Sequence, residues 1–305
     1  MAVRQVRDNL YLIDLNGPLE GFRKFISAWV YKIGGVTLLV DPGPASTIPY
    51  LVERMDELGI RTIDYILLTH IHLDHAGGTG QLLQRFPGAK VNCHPKGIPH
   101  MVAPQKLWEE SKKVLGKVAE AYGEMAPVSE SCISFRDSIR IGDVFVEVIE
   151  TPGHAAHHVS YRMGDILFAG EIAGVYVPLD DGFYVRPATP PPFQHEIFLD
   201  SIAKAAALDV SLVCLGHYGC RHDAAALFER ARRQLDFWVA TAERHFKAGS
   251  EPYEETVLAD LIALDPDMAG WQSLPKDIQA RERSFCINSI RGIRMYLAKE
   301  EGKKV

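Results

Sequence analysis

The sequence has few cysteines, no long apolar run and no excess of positive charge, and each absence excludes a class of protein. Five cysteines occur in 305 residues without a Cys-x-x-Cys pair, so neither a disulfide-rich secreted domain nor a cysteine-ligated zinc module is indicated. No stretch approaches the roughly 18 apolar residues of a membrane-spanning helix, and the N-terminal segment lacks the apolar core of a signal peptide. These observations predict a cytoplasmic protein with no membrane partner.

The charge balance disfavours nucleic acid as a partner. The chain has 33 Lys and Arg against 39 Asp and Glu, which gives a net charge of −6. Binding to a phosphate backbone normally depends on an excess of basic residues. With 47% hydrophobic and 24% charged residues, the composition is that of an ordinary globular protein. We therefore expect a small-molecule substrate and no nucleic-acid partner.

Apolar runs and turn residues predict two successive rounds of strands and helices. Strands are expected within residues 9–40, before His70, within 133–151 and within 210–217, and a hairpin is expected over 159–170. The stretch from 172 to 193 is rich in aromatic residues and proline, which is typical of a structured loop that forms a binding site. Helices are predicted at 46–58, 77–86, 105–122, 223–247, 253–263 and 276–300.

This order of elements predicts an α/β protein in which two sheets are sandwiched between helices. We expect one catalytic domain over residues 1–220, with a helical insertion at about 105–122. The amphipathic helices of residues 221–305 are expected to pack on the same domain. Their apolar faces also allow a homodimer, although packing within the chain is the simpler interpretation.

The segment THIHLDHAGG carries the main chemical signal. It places His70, His72, Asp74 and His75 within six residues at the end of a predicted strand. A single histidine is most often an ordinary core or surface residue, but such clustering favours metal binding. Alternation along an extended segment allows His70 and His72 to face one centre, whereas Asp74 and His75, which enter a turn, can face another. This loop can therefore contribute to two metal sites.

The sequence resembles the metallo-β-lactamase-fold superfamily, whose hallmark is this His-x-His-x-Asp-His loop. Further similar motifs follow in family order: DPG at 41–43, TPGHAAHH at 151–158, LFAGE ending at Glu171, and LGHYG around His217. The resemblance implies an αββα four-layer sandwich with a dinuclear metal centre at one edge of the two sheets. It also implies metal ligands: for the first ion His70, His72 and His154, and for the second Asp74, His75 and His217.

Glu171 departs from the family pattern, in which an Asp usually bridges the two metals. A glutamate is one methylene longer, so it must fold back to occupy the same position. We favour the interpretation that Glu171 still bridges, because the charge and the oxygen donors are kept. The alternatives are an incompletely occupied second site or compensation by Asp180 or Asp181.

Imidazole and carboxylate donors without thiolate suit two divalent ions, with zinc preferred and iron or manganese as alternatives. A metal lowers the pKa of bound water toward ~7 and so supplies hydroxide near neutral pH. We expect hydrolysis of a small ester, lactone, thioester or related compound, with Asp74 as the catalytic group that orients or deprotonates the nucleophile. The alternatives are an iron-dependent oxidoreductase similar to sulfur dioxygenases, a small-molecule phosphodiesterase, and a non-enzymatic protein with a structural metal.

Other polar residues are predicted to surround the ligands. Asp41 and His158 are candidates for hydrogen bonds that orient the ligands, with a turn and core packing as their alternative roles. Hydroxyl and guanidinium groups near Glu171 and His217 are candidate substrate contacts, and these are Tyr176, Tyr184, Arg186 and Tyr218. A capping or surface role is predicted for His94. The remaining histidines, at positions 100, 157, 195, 222 and 245, are predicted not to be ligands.

Overall fold

A mixed seven-stranded sheet forms from the first part of the chain. The computed structural model describes residues 3–302, and the ends of the predicted domain ranges, residues 1–2 and 303–305, lie outside the described residues. The strands, which follow chain order across the sheet, are β1 (Val3–Arg7), β2 (Leu10–Leu15), β3 (Ile26–Ile33), β4 (Val36–Val40), β5 (Tyr65–Leu67), β6 (Lys90–Asn92) and β7 (Ile133–Ser134). The strands from β1 to β4 pair antiparallel, and those from β4 to β7 pair parallel.

A second sheet and a separate hairpin follow. The strands are β8 (Ser138–Ile141), β9 (Val144–Glu150), β10 (Val159–Met163), β11 (Ile166–Gly170), β12 (Val175–Pro178), β13 (Phe183–Arg186), β14 (Leu212–Leu215) and β15 (Cys220–Arg221). The second sheet has the order β15-β14-β11-β10-β9-β8, with β11 and β14 parallel. The predicted hairpin over 159–170 is confirmed as β10 and β11. The prediction that residues 172–193 form a loop was wrong in part, because β12 and β13 pair with each other there.

Helices connect the strands and cover the outer faces of both sheets. They are α1 (Ile48–Glu57), α2 (Leu73–Ala76), α3 (Thr79–Arg85), α4 (Ile98–Val102), α5 (Gln105–Leu115), α6 (Lys117–Tyr122), α7 (His195–Ala206), α8 (Ala224–Ala248), α9 (Tyr253–Leu264) and α10 (Lys276–Glu300). The helical insertion predicted at 105–122 is divided between α5 and α6. The division falls at Gly116, whose φ of 54° is a conformation that favours glycine.

Three apolar clusters define the layers. Trp29, Tyr161 and Phe168 belong to the cluster between the two sheets. A second cluster joins the outer face of the first sheet to α1 and α3, and a third joins the second sheet to the helices from α7 to α10. This arrangement of helix, sheet, sheet and helix confirms the predicted αββα sandwich with a C-terminal helical extension.

The last helix packs directly against the loop that follows β13. The hydroxyl of Thr189 donates to the carbonyl of Ser289 at 3.1 Å, and the amide of Thr189 donates to the Ser289 hydroxyl at 3.3 Å. A Cβ atom at position 292 would overlap the carbonyl oxygen of Thr189. Gly292 therefore allows α10 to approach the loop more closely than any other residue would.

The fold brings the predicted metal ligands to one edge of the sandwich. His70 lies just after β5, Glu171 directly after β11, and His217 just after β14. An isolated antiparallel bridge between Ile26 and His217 connects the two sheets at this edge. Side chains that follow strand ends of both sheets therefore converge there. In residues 3–302, no helix combines the length and the apolar character needed to cross a membrane.

Candidate metal centre

Seven side chains form two adjacent groups of potential metal donors. One group contains His70, His72, His154 and Glu171, and the other contains Asp74, His75, Glu171 and His217. Within each group the donor atoms lie within 4.8 Å of one another. The division between the groups is the one that the resemblance implied, and Glu171 belongs to both.

The carboxylate of Glu171 lies at the centre of these donors. Its Oε1 atom is 3.5 Å from Nε2 of His70, 3.2 Å from that of His75, and 3.3 Å from those of His154 and His217. A tetrahedral zinc ion with bonds of about 2.0–2.1 Å separates its ligand atoms by about 3.3–3.4 Å. The spacing therefore fits metal coordination, and the longer side chain of Glu171 reaches both groups.

Hydrogen bonds from the DPG turn orient two of the histidines. Asp41 accepts hydrogen bonds from the amide and hydroxyl of Thr69 at 2.8 and 2.6 Å, and its Oδ2 lies 3.1 Å from Nδ1 of His75. Nδ1 of His70 lies 3.0 Å from the Thr69 hydroxyl. Each acceptor binds the Nδ1 proton, so Nε2 is the nitrogen of each imidazole that is directed at the centre. Asp41 thus lies where it was predicted to orient a ligand.

Backbone carbonyls orient two more ligands in the same way. Nδ1 of His154 donates to the carbonyl of Ala188 at 3.0 Å, and Nδ1 of His217 donates to that of Phe25 at 3.1 Å. In both rings Nε2 is therefore the nitrogen that faces the donor cluster. The phenyl ring of Phe25 also stacks on His217, with ring centroids 4.2 Å apart.

Contacts between these imidazoles fit a site for a cation. Nδ1 of His72 lies 2.9 Å from Nε2 of His154, and among the described residues the buried Nε2 of His70 has no hydrogen-bond partner. Buried polar atoms without partners are uncommon, and facing lone pairs repel each other. A divalent ion among these nitrogens would satisfy them all, and the nitrogen and oxygen donor set suits zinc, iron or manganese.

His158 fixes the backbone at the shared carboxylate. Its Nε2 accepts a hydrogen bond from the amide of Glu171 at 3.2 Å, and its Nδ1 lies 2.9 Å from the Thr151 hydroxyl. Burial lowers the pKa of His158 well below its ordinary value, so the ring is neutral and Nε2 is free to accept. A Cβ atom at Gly170 would overlap this ring, which explains the glycine before Glu171. The position matches the predicted orienting role.

The charge state of the cluster is set by burial and by its own ion pairs. Burial, together with the neighbouring His154 and His157, lowers the pKa of His72 to about 3, so this ring is neutral and able to bind a metal. Burial opposes the ionisation of Asp74, but His75 and His217 lower its pKa to about 2. Burial likewise opposes a charge on His75, yet Asp74, Asp41 and Glu171 raise its pKa well above the ordinary value. A metal ion that binds the second group must therefore displace a proton.

Three predicted substrate contacts have other partners in the structure. The hydroxyl of Tyr184 lies 3.3 Å from the sulfur of Cys286, and Nε of Arg186 donates to Glu282 at 2.5 Å. The ring of Tyr176 lies under the guanidinium of Arg221, 4.3 Å from its Cζ atom. All three side chains are buried in the core, because α10 and the β15 region cover the hairpin. This placement differs from the predicted direct contact with substrate.

The remaining predicted residues lie around the cluster or away from it. Tyr218 lines a surface cleft of about 410 Å³ together with Arg4 and Arg221. Nδ1 of His94 accepts a hydrogen bond from the backbone amide of Lys96 at 3.1 Å, in agreement with a capping role. The ring of His157 lies 5.9 Å from that of His72, but His157 belongs to neither donor group.

Several residues around the centre had no recognisable signal in the sequence. Thr69 could have been noticed as a hydroxyl beside His70, but Phe25 and Ala188 act through backbone carbonyls that any residue provides. Tyr122 and Arg281 lie in helices whose amphipathic spacing indicates burial without identifying the neighbours. Both have buried polar atoms without a hydrogen-bond partner among the described residues.

The comparisons with known proteins agree with this geometry. The model of the metallo-beta-lactamase superfamily matches residues 21–217, so the chain belongs to this superfamily and is an enzyme of its metallo-hydrolase class. A metallo-beta-lactamase fold-containing protein from Sulfurisphaera tokodaii is 30% identical over 210 residues, which cover 67% of this chain and 76% of that protein. A hydroxyacylglutathione hydrolase from Acidiphilium cryptum is 28% identical over 246 residues, which cover 78% of this chain and 84% of that protein.

Solved structures share the complete architecture. The crystal structure of an archaeal metallo-beta-lactamase superfamily protein from Sulfolobus tokodaii has a TM-score of 0.71 at 24% identity, and the match covers 94% of this chain and 98% of that one. A metallo-beta-lactamase family protein from Thermus thermophilus has a TM-score of 0.70 at 19% identity, covering 98% and 95% of the two chains. The likeness therefore includes the C-terminal helices as well as the sandwich.

Proposed function

We propose that this chain is a dinuclear metal-dependent hydrolase of a small acyl compound, and that thioesters are the first class to test. The observation that carries the proposal is the pair of donor groups that meet at one oxygen of Glu171. The choice of thioesters is supported by the similarity to hydroxyacylglutathione hydrolases, since an acylglutathione is a thioester. Esters and lactones present a similar carbonyl and belong in the same test.

Each donor group would hold one divalent ion, with zinc as the proposed metal and iron or manganese as alternatives. The ligands of the first ion would be His70, His72 and His154, those of the second Asp74, His75 and His217, and Glu171 would be shared. Divalent ions held there would lower the pKa of water and polarise the substrate carbonyl. Thiolate is absent from the set, which disfavours soft ions such as copper(I).

The exposure of Asp74 supports a role for its carboxylate in proton transfer from the nucleophile. Its side chain is 14% exposed, more than those of His75, His217 and Glu171 in the same group. Its Oδ2 lies 3.4 Å from Nε2 of His217, and its exposure shows that the carboxylate is on the side of the cluster that solvent reaches. We propose that Asp74 orients the attacking water and accepts its proton.

The proposal is tested by metal analysis together with a substrate panel. The purified protein should contain about two equivalents of zinc and hydrolyse a thioester, lactone or ester faster than a phosphodiester. His72→Ala should lose metal and activity, because His72 is a donor in the first group. His157→Ala is the matched control, because its ring lies near His72 but outside both groups, and it should retain metal and activity.

Three outcomes would contradict the proposal or its assigned ligands. Stoichiometric iron in anaerobically purified protein, together with oxygen consumption, would identify an oxidoreductase instead of a hydrolase. Turnover of phosphodiesters alone would show that the site acts on phosphorus. Full metal content and full activity in His72→Ala on a confirmed substrate would contradict the assigned ligands.

A further inference from the structure

A buried cluster of charges connects α10 to the β12–β13 hairpin near the metal centre. Nε of Arg186 donates to Glu282 at 2.5 Å, and Nε of Arg281 donates to the other carboxylate oxygen at 2.9 Å. The exposed fractions of Arg186, Arg281 and Glu282 are 3%, 4% and 0%. Among the described residues, no second carboxylate forms an ion pair with either guanidinium. The cluster therefore has one positive charge in excess, which is costly to bury without a counter-ion.

Two hydrogen-bond donors of this region are unsatisfied. Nη1 of Arg281 donates to the carbonyl of Gly21 at 2.5 Å, but its Nη2 has no hydrogen-bond partner among the described residues. The same holds for the hydroxyl of Tyr122, whose side chain is 1% exposed. Buried polar groups are nearly always hydrogen-bonded, so an unpaired guanidinium nitrogen and an unpaired phenol together indicate a ligand that accepts from both.

Both donors lie beside the metal centre. The guanidinium carbon of Arg281 is 4.0 Å from the ring of Phe25, and that ring stacks on the ligand His217 at 4.2 Å. Burial raises the pKa of the Tyr122 phenol, Asp74 and Glu171 raise it further, and Arg281 opposes them. Helix α6, which ends at Tyr122, packs against α2, which contains Asp74 and His75, so Tyr122 lies near the second donor group.

The walls of this region are aromatic. Phe22 lies next to both donors, with its ring centroid 6.1 Å from that of Tyr122 and 5.8 Å from the guanidinium carbon of Arg281. Phe285 extends the apolar surface, 5.6 Å from Phe25 between ring centroids. An anion that enters here thus meets directed donors at one end and apolar surface along its length. Arginine favours the planar carboxylate group, and the single excess charge matches one carboxylate.

We propose that Arg281 and Tyr122 bind the carboxylate of the substrate, so that the enzyme acts on acyl compounds with a carboxylate a few bonds from the reacting carbonyl. This inference rests on the proposed function, because the acyl group is placed at the metal centre. Nη2 of Arg281 would donate to one carboxylate oxygen and the Tyr122 hydroxyl to the other. Phe25 would separate the carboxylate from His217, which limits the substrate to a short acyl chain. Monoesters and monothioesters of dicarboxylic acids fit this description.

Tyr122→Phe gives the sharpest kinetic test, because it removes one oxygen that makes no hydrogen bond within the described residues. The substrates are the glutaryl monothioester of N-acetylcysteamine and the same compound with its carboxylate capped as a methyl ester. A hydrogen bond to a charged group is worth about a 10-fold effect or more, so KM for the acidic thioester should rise by about that factor. The variant should leave kcat and the KM of the capped thioester unchanged and should not lower Tm, because the hydroxyl that it removes has no hydrogen-bond partner among the described residues. Equal effects on both thioesters would overturn the proposal.

Binding to the chelated, metal-free protein separates this site from the metals and from catalysis. Calorimetry should detect monomethyl glutarate but not neutral dimethyl glutarate, and Tyr122→Phe and Arg281→Lys should each weaken the binding of the former about 10-fold. Binding that the two variants leave unchanged, or no binding by the wild-type protein, would overturn the carboxylate site. Binding that follows the prediction, in a protein that hydrolyses no acyl substrate, would instead overturn the proposed function and leave the carboxylate site in place.

Discussion

Shortening Glu171 to aspartate is expected to separate the two metal sites. In the structure, one carboxylate oxygen of Glu171 lies 3.2–3.5 Å from four imidazole nitrogens. Glu171→Asp withdraws the carboxylate by one C–C bond, about 1.5 Å. The backbone is not free to follow, because the amide of Glu171 donates to His158 and Gly170 already lies against that ring. The shorter side chain should therefore fail to reach both groups.

The magnitude follows from the length of metal–ligand bonds. The withdrawn oxygen would lie about 4.7–5 Å from the imidazole nitrogens, whereas two bonds of about 2.0–2.2 Å around one ion span at most about 4.4 Å. At least one ion should lose this ligand. Loss of a supporting residue behind a ligand costs about 10–100-fold in metal affinity, so loss of the ligand itself should cost at least 100-fold.

The assay is calorimetric titration of the chelated protein with zinc, with bound metal measured afterwards by elemental analysis. Glu171→Asp should bind one equivalent tightly and the second at least 100-fold more weakly than the wild-type protein. Glu150→Asp is a matched control, because this exposed glutamate belongs to neither donor group. Two equivalents bound with unchanged affinity by Glu171→Asp would refute the reasoning and show that the backbone adapts to the shorter side chain.

Three further predictions concern orientation, burial and packing. Asp41→Asn places an amide where His75 needs an acceptor, so chelator competition should show zinc affinity about 10–100-fold lower, and unchanged affinity would contradict this. Burial raises the pKa of Asp14 to about 6 from 3.8, so its ionised form destabilises the fold above pH 6. In urea unfolding, Asp14→Asn should therefore raise the free energy of unfolding by roughly 2–3 kcal/mol at pH 8, and by progressively less from pH 6 to pH 4. An equal increase at pH 4 and pH 8 would contradict a raised pKa for Asp14. Gly292→Ala forces a methyl group onto the Thr189 carbonyl and should lower stability by about 1–3 kcal/mol, measured as a lower Tm.

The ligands could be predicted from the sequence because their order in the chain carries the information. The loop from His70 to His75 has a compact spacing, and the segments that contain His154, Glu171 and His217 each lie next to a recognisable strand. The resemblance to the superfamily assigned these distant residues to one centre, and the fold brings them together because the strand ends collect at one edge of the sandwich. A bridging Glu171 was the favoured expectation, but the backbone position that lets it reach both groups depends on His158 and could not be read from the sequence.

Substrate contacts were harder to predict because they depend on which surfaces cover one another. Tyr184 and Arg186 lie in a stretch that has the composition of a binding loop, yet α10 covers them. Conversely, the periodicity of α10 indicates a buried face without showing that Arg281 lies over Phe25. The role of a polar residue at a buried helical position can be inferred only from its tertiary neighbours.

The contact between Thr189 and α10 has a consequence for how the enzyme is synthesised. Ala188, which holds the ring of His154, precedes Thr189, and Thr189 is bound to Ser289. Residues 276–300 follow every metal ligand in the chain. On the ribosome, the segment from His70 to His217 is therefore translated well before the helix that steadies one of its imidazoles. A nascent chain arrested before α10 should therefore hold metal less firmly than the finished enzyme.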